Sequence, residues 1–256
     1  EIVNNVFERV GSNPQENGEY VNCARRNAIE LAGGPSGDVT IANNLFTGAE
    51  EGIYRNRSWT SAIYFNGGAN DTVIKDNVFE YNRTALNIDN YAEGYDITGN
   101  QFNYNGTALT VGGSSVGEYV LSGNQFANND THLNLRNVGN NFVIDVSGNT
   151  FGGKTPEAMS DDELFALEDK ILHRVDNENY GLAIVKKDNV FVTADSGSIQ
   201  RGVDAAGEGW TVNVAAGTFL GKVKLTKPLT LLGAQAGVDA RSRSGGYCSG
   251  AASAAA

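Results

Sequence analysis

The chain has 256 residues, 40% of them apolar and 9% aromatic, with 32 glycines and 4 prolines; this suits one large domain or two modest ones and excludes a collagen-like or proline-rich chain. Nineteen Lys and Arg against 30 Asp and Glu leave a net charge of −11, which argues against nucleic-acid binding, because duplex affinity comes mainly from neutralising phosphates. No apolar run approaches membrane-spanning length, and Cys23 and Cys248 are too few and too far apart for a disulfide framework or a zinc site.

The chain opens at Glu1, carries Met159 as its only methionine and shows no signal peptide, so it reads as a mature or excised fragment. Few cysteines and an acidic composition are compatible with bacterial secretion, and the expected location is extracellular, on the cell surface.

Asparagine divides the chain: 26 of its 30 asparagines precede residue 152. In that part an Ile/Val/Leu-x-x-Asn-x-Phe motif recurs as Ile2 to Phe7, Ile41 to Phe46, Ile74 to Phe79, Ile97 to Phe102, Leu121 to Phe126 and Val146 to Phe151. Its asparagines, Asn5, Asn44, Asn77, Asn100, Asn124 and Asn149, are spaced by 39, 33, 23, 24 and 25 residues. A second alternating motif keeps step, at Ala28 to Leu31, Ala62 to Phe65, Ala85 to Ile88, Ala108 to Val111 and His132 to Leu135. Strict alternation is strand periodicity with one buried face. Three short strands per repeat, divided by Gly and Asn turns, describe one turn of a solenoid.

A leucine-rich repeat has a similar period, but its leucine series is absent, so a right-handed parallel β-helix of about six coils over residues 1–153 is expected. At roughly 4.8 Å per coil it rises on the order of 29 Å. The Ile and Phe columns should stack inside, and the turn asparagines should adopt left-handed backbone and bond to neighbours above and below. Asn82, Asn105 and Asn129 form a second aligned set; they also read as glycosylation sequons, as do Asn56 and Asn70, although turn chemistry accounts for three of the five.

Two repeats are too long, with about 15 extra residues between Phe7 and Ala28 and about 10 between Phe46 and Ala62. Both insertions enter at one corner of the coil. They carry Tyr20, Arg25 and Arg26 in the first and Tyr54, Arg55, Arg57 and Trp59 in the second, with Tyr81 and Arg83 at the same corner one repeat later. On an acidic rod such a basic, aromatic edge suits an anionic sugar, Arg holding carboxylate or sulfate and the aromatic rings stacking on the pyranose. The competing reading is that these arginines pair with Glu50, Glu51 and Glu80 and pin the loops.

From Lys154 the pattern stops. Ser160-Asp161-Asp162-Glu163 is a capping box, and Leu164, Leu167, Ile171 and Val175 follow at helical spacing, which predicts a helix from Asp161 to about Val175 whose apolar face covers the last coil. Leu182 to Val185 and Val190 to Thr193 flank Lys187-Asp188-Asn189 as an expected hairpin, completing a spacer over residues 154–195. Ser198 to Ala206 reads as a short helix ended by Gly207 and Gly209, followed by strands at Thr211 to Val214 and Leu229 to Leu232.

Here a resemblance enters. Ile199 to Ala206, Trp210 to Phe219 and Lys227 to Gly233 together resemble the opening of pectin-lyase-like parallel β-helix proteins, and the earlier repeats resemble the same superfamily. The resemblance implies a cap helix and the first coils of a second β-helix over residues 196–244, before a low-complexity tail over residues 245–256. The chain would then be a slice of a large repetitive bacterial exoprotein: the end of one β-helix, a spacer and the start of the next.

Members of that superfamily are often polysaccharide lyases, hydrolases, esterases or epimerases, whose chemistry needs carboxylates on one outer face. Glu50, Glu51, Asp76, Glu80 and Asp89 are the acidic candidates, but the sharper catalytic series of polygalacturonases and pectinesterases are missing, so the catalytic residues are unassigned. His132 and His173 are expected to be structural, the second on the helix. No cofactor and no metal cluster is expected, with Ca²⁺ left open for oxygen ligands in acidic turns. The expected function is a structural or adhesive module that binds anionic glycans through the loop edge and self-associates end to end through open strand edges; the alternative is an enzyme acting on acidic polysaccharide.

Overall fold

A computed structural model describes residues 1–8, 27–32, 38–48, 61–67, 71–89, 94–113 and 118–237. These residues are rich in strand, and every pairing between named strands is parallel. The strands come in threes. The first repeat has β1 (Ile2–Val3), β2 (Val6–Glu8) and β3 (Ile29–Ala32); the second has β4 (Thr40–Ala42), β5 (Leu45–Thr47) and β6 (Ser61–Asn66). The third has β7 (Thr72–Lys75), β8 (Val78–Glu80) and β9 (Thr84–Asp89); the fourth has β10 (Tyr95–Thr98), β11 (Gln101–Asn103) and β12 (Thr107–Gly113). The fifth has β13 (Tyr119–Ser122), β14 (Gln125–Ala127) and β15 (Thr131–Val138), and β16 (Val143–Asp145) and β17 (Thr150–Phe151) follow. The chain visits three sheets in rotation: β1-β4-β7-β10-β13, then β2-β5-β8-β11-β14-β17, then β3-β6-β9-β12-β15.

The register is set by the repeated residues. Ile41 pairs with Ile74 and Ile74 with Ile97, while Phe46 pairs with Phe79 and Phe79 with Phe102. A one-residue slip would turn every one of these side chains out of the core. The phenylalanines form one stack: successive rings from Phe7 through Phe46, Phe79, Phe102 and Phe126 to Phe151 lie 4.7, 4.9, 5.0, 4.9 and 5.2 Å apart, tilted by 15° or less.

Beside it runs an amide ladder. The backbone N–H of Asn5 donates to the Asn44 side-chain oxygen at 2.8 Å, and the same bond links Asn44 to Asn77, Asn77 to Asn100, Asn100 to Asn124 and Asn124 to Asn149 at 2.9 to 3.0 Å. From Asn44 onward each side-chain NH₂ also donates to a carbonyl one repeat back, as Asn100 does to Ile74 at 2.8 Å. Asn82, Asn105 and Asn129 repeat this arrangement at the next corner. These buried amides spend their hydrogen-bonding capacity on corners whose backbone groups would otherwise be orphaned.

The left-handed backbone, however, falls one residue before the position expected for it. Positive φ belongs to Asn4, Asn43, Asp76, Gly99 and Gly123 in the first corner and to Tyr81, Tyr104 and Asn128 in the second. The corner needs two residues with separate tasks: one turns the chain at positive φ, and the next aims its amide along the stack.

After β17 the pattern changes. Helix α1 (Asp161–Glu168) starts on the expected capping box, with the Glu163 N–H donating to the Ser160 hydroxyl and the Ser160 N–H to the Glu163 carboxylate. It ends about two turns earlier than the spacing predicts. Ile171–Leu172 instead form β18, which pairs with Leu133 and Asn134 of β15. The open edge of β15 offers backbone partners to this segment, and Ile171 and Val175 go to different hydrophobic clusters, which one helical face could not serve.

The expected hairpin is also corrected. β19 (Leu182–Ile184) pairs in parallel with β16, and β20 (Asn189–Val192) pairs in parallel with β21 (Thr211–Val214). Alternation marks a strand but not its partner, and each run found an open parallel edge. Lys187-Asp188-Asn189 is instead a corner of the repeat type: Asp188-Asn189-Val190-Phe191 copies Asp76-Asn77-Val78-Phe79, and Asp188 turns the chain at φ 57° where Asp76 does so at φ 56°.

Helix α2 (Ile199–Ala205), N-capped by Ser198, packs against β20 and β21, and β22 (Thr230–Leu232) completes a β20-β21-β22 sheet. Gly202 allows the close approach, since a Cβ there would lie 2.3 Å from a Val192 methyl. The first cluster runs through the three long sheets to Leu164, Leu167 and Phe191; the second gathers Val190, Val192, Val203, Val212 and Val214.

Candidate functional site

Most of the predicted basic edge lies outside the described residues: Tyr20, Arg25, Arg26, Tyr54, Arg55, Arg57 and Trp59, with the acidic candidates Glu50 and Glu51. Cys23 and Cys248 lie outside them too. What is described of the edge is built on the corner after β8. Tyr81 is the left-handed residue there, and its backbone passes so close to Gly48 that a Cβ at Gly48 would sit 2.0 Å from the Tyr81 carbonyl oxygen. One repeat on, Tyr104 occupies the same corner in the same conformation, and the two rings stack at 5.3 Å, 6° from parallel, both half-exposed. Sequence reading singled out Tyr81 and missed Tyr104; the signal was present, because their separation is the repeat period itself.

Arg83 stands two residues beyond Tyr81, half-buried. Its guanidinium makes no ion pair with Glu80, and one terminal nitrogen is buried without a hydrogen-bond partner. Burial lowers its pKa from the ordinary arginine value. That nitrogen is closed to solvent, so only the rest of the half-buried guanidinium can meet a ligand at this corner.

The acidic candidates are distributed around the repeat. Asp76 is a turn residue; its N–H donates to Thr98 at 3.1 Å, and its carboxylate lies over Gly99, where a Cβ would be 2.4 Å from Asp76 Oδ1. Glu80 closes β8, and its carbonyl accepts from the Asn82 side chain at 3.0 Å. Asp89 closes β9, 3.5 Å from the Tyr64 hydroxyl. They occupy three different positions of one repeat. Among the described residues no group of three or more His, Cys, Asp or Glu is placed to hold a metal ion.

The sequon residues Asn82, Asn105 and Asn129 are buried in the second ladder, each at 1% exposure or less, so their amides serve the corner. Asn56 and Asn70 lie outside the described residues.

Both histidines are buried. His132 takes the place held by Ala62, Ala85 and Ala108 in earlier repeats, and its ring fills the end of the column against Phe126 and Phe151. Burial, and then Lys170, push its pKa down to about 3, so it is neutral. His173 follows β18 rather than lying on the helix. Its Nδ1 accepts from the Ala183 N–H at 3.2 Å, which leaves the proton on Nε2 facing Glu168 Oε1 at 2.7 Å. Burial raises the Glu168 pKa. This pair borders a cavity the size of a single water, lined also by Leu182, Asn189 and Trp210. The pair was not legible beforehand, because the helix was expected to carry both residues. Its surroundings leave no room for a substrate, and its visible role is to tie α1 to β19.

No family model, curated protein or solved structure matches the chain.

Proposed function

We propose that the chain is a right-handed parallel β-helix of the pectin-lyase-like type, serving as a structural or adhesive module of a secreted, repetitive surface protein. In this reading residues 1–153 end one β-helix, residues 154–195 bridge, and α2 with β21 and β22 opens the next. The observation that carries the reading is the unbroken pair of interior columns, the asparagine ladder and the phenylalanine stack, through six successive repeats. A rod filled this way is a scaffold that presents what lies on its corners. The corner of Tyr81, Tyr104 and Arg83 supports an anionic glycan as the ligand, and end-to-end self-association belongs to the same proposal.

The test is retention on an immobilised uronate polysaccharide, together with an assay for new unsaturated or reducing ends. The expected outcome is retention without cleavage, reduced at least several-fold by Tyr104→Ala with Arg83→Ala, both half-exposed positions. New chain ends would replace the module by a polysaccharide lyase, hydrolase or epimerase. Equal retention of the double variant would remove this corner from the site.

A further inference from the structure

The seam between the two hydrophobic clusters holds a titratable pair that neither cluster requires. Glu168 is the last residue of α1 and His173 follows β18; both are buried, with Glu168 Oε1 2.7 Å from His173 Nε2. Of the side chains lining the water-sized cavity beside them, Leu182 and Val190 belong to one cluster, and Ala183, Val185 and Phe191 to the other.

Geometry assigns the titrating atom. His173 Nδ1 accepts the Ala183 N–H, so the imidazole keeps its one proton on Nε2 and cannot take a second without giving up the Ala183 bond. A proton added to the pair goes to Glu168. The protonated carboxyl still accepts from Nε2–H through its carbonyl oxygen, and both hydrogen bonds survive. The ionised carboxylate accepts the same bond but holds a full charge out of water.

The surroundings favour the neutral acid. α1 has no basic residue in its last turn, so the negative end of the helix dipole meets this carboxyl. Asp169 follows directly and accepts from the Thr193 hydroxyl at 2.5 Å. Asp176, in the turn after β18, accepts the His173 N–H at 2.8 Å. The neighbouring cations are engaged elsewhere: Lys170 donates to the Asn129 carbonyl, Arg174 to the Asn140, Tyr180 and Phe142 carbonyls, and Arg201 of α2 to those of Val175 and Ser196. From β19 to β21 the cavity meets Asn189 and Trp210 among apolar side chains, and no charge.

We infer that Glu168 is a proton-operated latch on this seam: while protonated it holds α1 to β19 through His173, and on ionising it loosens the end of α1 while the long sheets stay paired. The sign follows from burial, which raises the Glu168 pKa above its ordinary 4.5. The unfolded chain gives up this proton near pH 4.5 and the folded chain keeps it longer, so the latch is at full strength below that pH and weakens as pH rises. The device belongs to the junction and does not depend on what the Tyr81 corner binds.

Native-state hydrogen exchange of the full chain between about pH 5 and about pH 9, expressed as protection relative to the unstructured rate at each pH, tests it. The readouts are the amide of Ala183, which donates to His173, and that of Asp169, which donates to Phe165 at the end of α1. Protection at both should fall roughly ten-fold or more as pH rises, while that of Gln101 in the long sheets changes less. Glu168→Gln keeps an acceptor for Nε2–H without titrating, so protection should stay high throughout; Asp176→Asn should leave the pH dependence in place. Flat protection in the wild type would overturn the latch, and so would a dependence that persists in Glu168→Gln or vanishes in Asp176→Asn. If Glu168→Gln fails to fold, the ¹⁵N shifts of wild-type His173 decide: a neutral Nε2–H ring across the range supports the assignment, and a doubly protonated ring at about pH 5 overturns it.

Discussion

Residues 38–151 and residues 154–237 solve the same problem by different means. In the first region each repeat lays the same side chains on their copies, so the core is a set of columns: Phe on Phe, Ile on Ile, Asn on Asn. In the second the columns stop, two helices enter, and the core divides into two clusters joined across β20, where Phe191 faces one and Val190 and Val192 the other. A column makes every repeat depend on its neighbours; a mixed core distributes its contacts among dissimilar partners. Toward residue 237 the packing thins until β22 is exposed along its length.

The largest effect should separate these regimes. Phe102 has a ring stacked on each face and no exposure, so Phe102→Ala should cost about 4 kcal/mol. Leu231→Ala, at 39% exposure, should stay within about 0.5 kcal/mol. Urea unfolding of both variants checks the contrast; equal costs would mean that the phenylalanine column is not a core.

A smaller effect separates the regions by pH. The folded-state pKa of His132 lies near 3, below the ordinary histidine value, so between about pH 6.5 and pH 3 the unfolded chain takes up a proton that the folded chain refuses. Stability from this residue falls as pH falls through that window, by about 2 kcal/mol at pH 5. Burial raises the pKa of Glu168 and Asp176 in the second region, which has the opposite sign: their contribution is lost as pH rises. His132→Gln should flatten the acid limb of the stability profile relative to wild type, and an unchanged limb would show that His132 is not buried neutral.

The same comparison explains what the sequence made legible. The repeats could be read because a period of 23 to 25 residues places each Ile, Asn and Phe on its own copy, and one residue type then fixes a whole column. The capping box at Ser160 and the short helix after Ser198 were legible because they are local. The end of α1 and the partner of β19 were not, since both depend on edges left open by strands some 40 residues earlier in sequence. The turn at Asp188 was visible as a turn, and its kinship with Asp76 lay in the shared Asp-Asn-Val-Phe; without counting that motif as a late repeat, a hairpin was the nearer reading. At the candidate corner, Tyr81 and Arg83 were found by following the loop edge one repeat on, while Tyr104 needed the same register followed one repeat further.

Asparagine side chains, and not solvent, satisfy the backbone at each corner. Native-state hydrogen exchange at the amides of Asn44, Asn77, Asn100, Asn105 and Asn124 tests it most directly, because the partner of each N–H is a side-chain oxygen one repeat away. Protection should approach that of the flanking strands, and it should be lost at Asn77 when Asn100 is replaced by alanine. Exchange at the rate of an open turn at these five amides would contradict it.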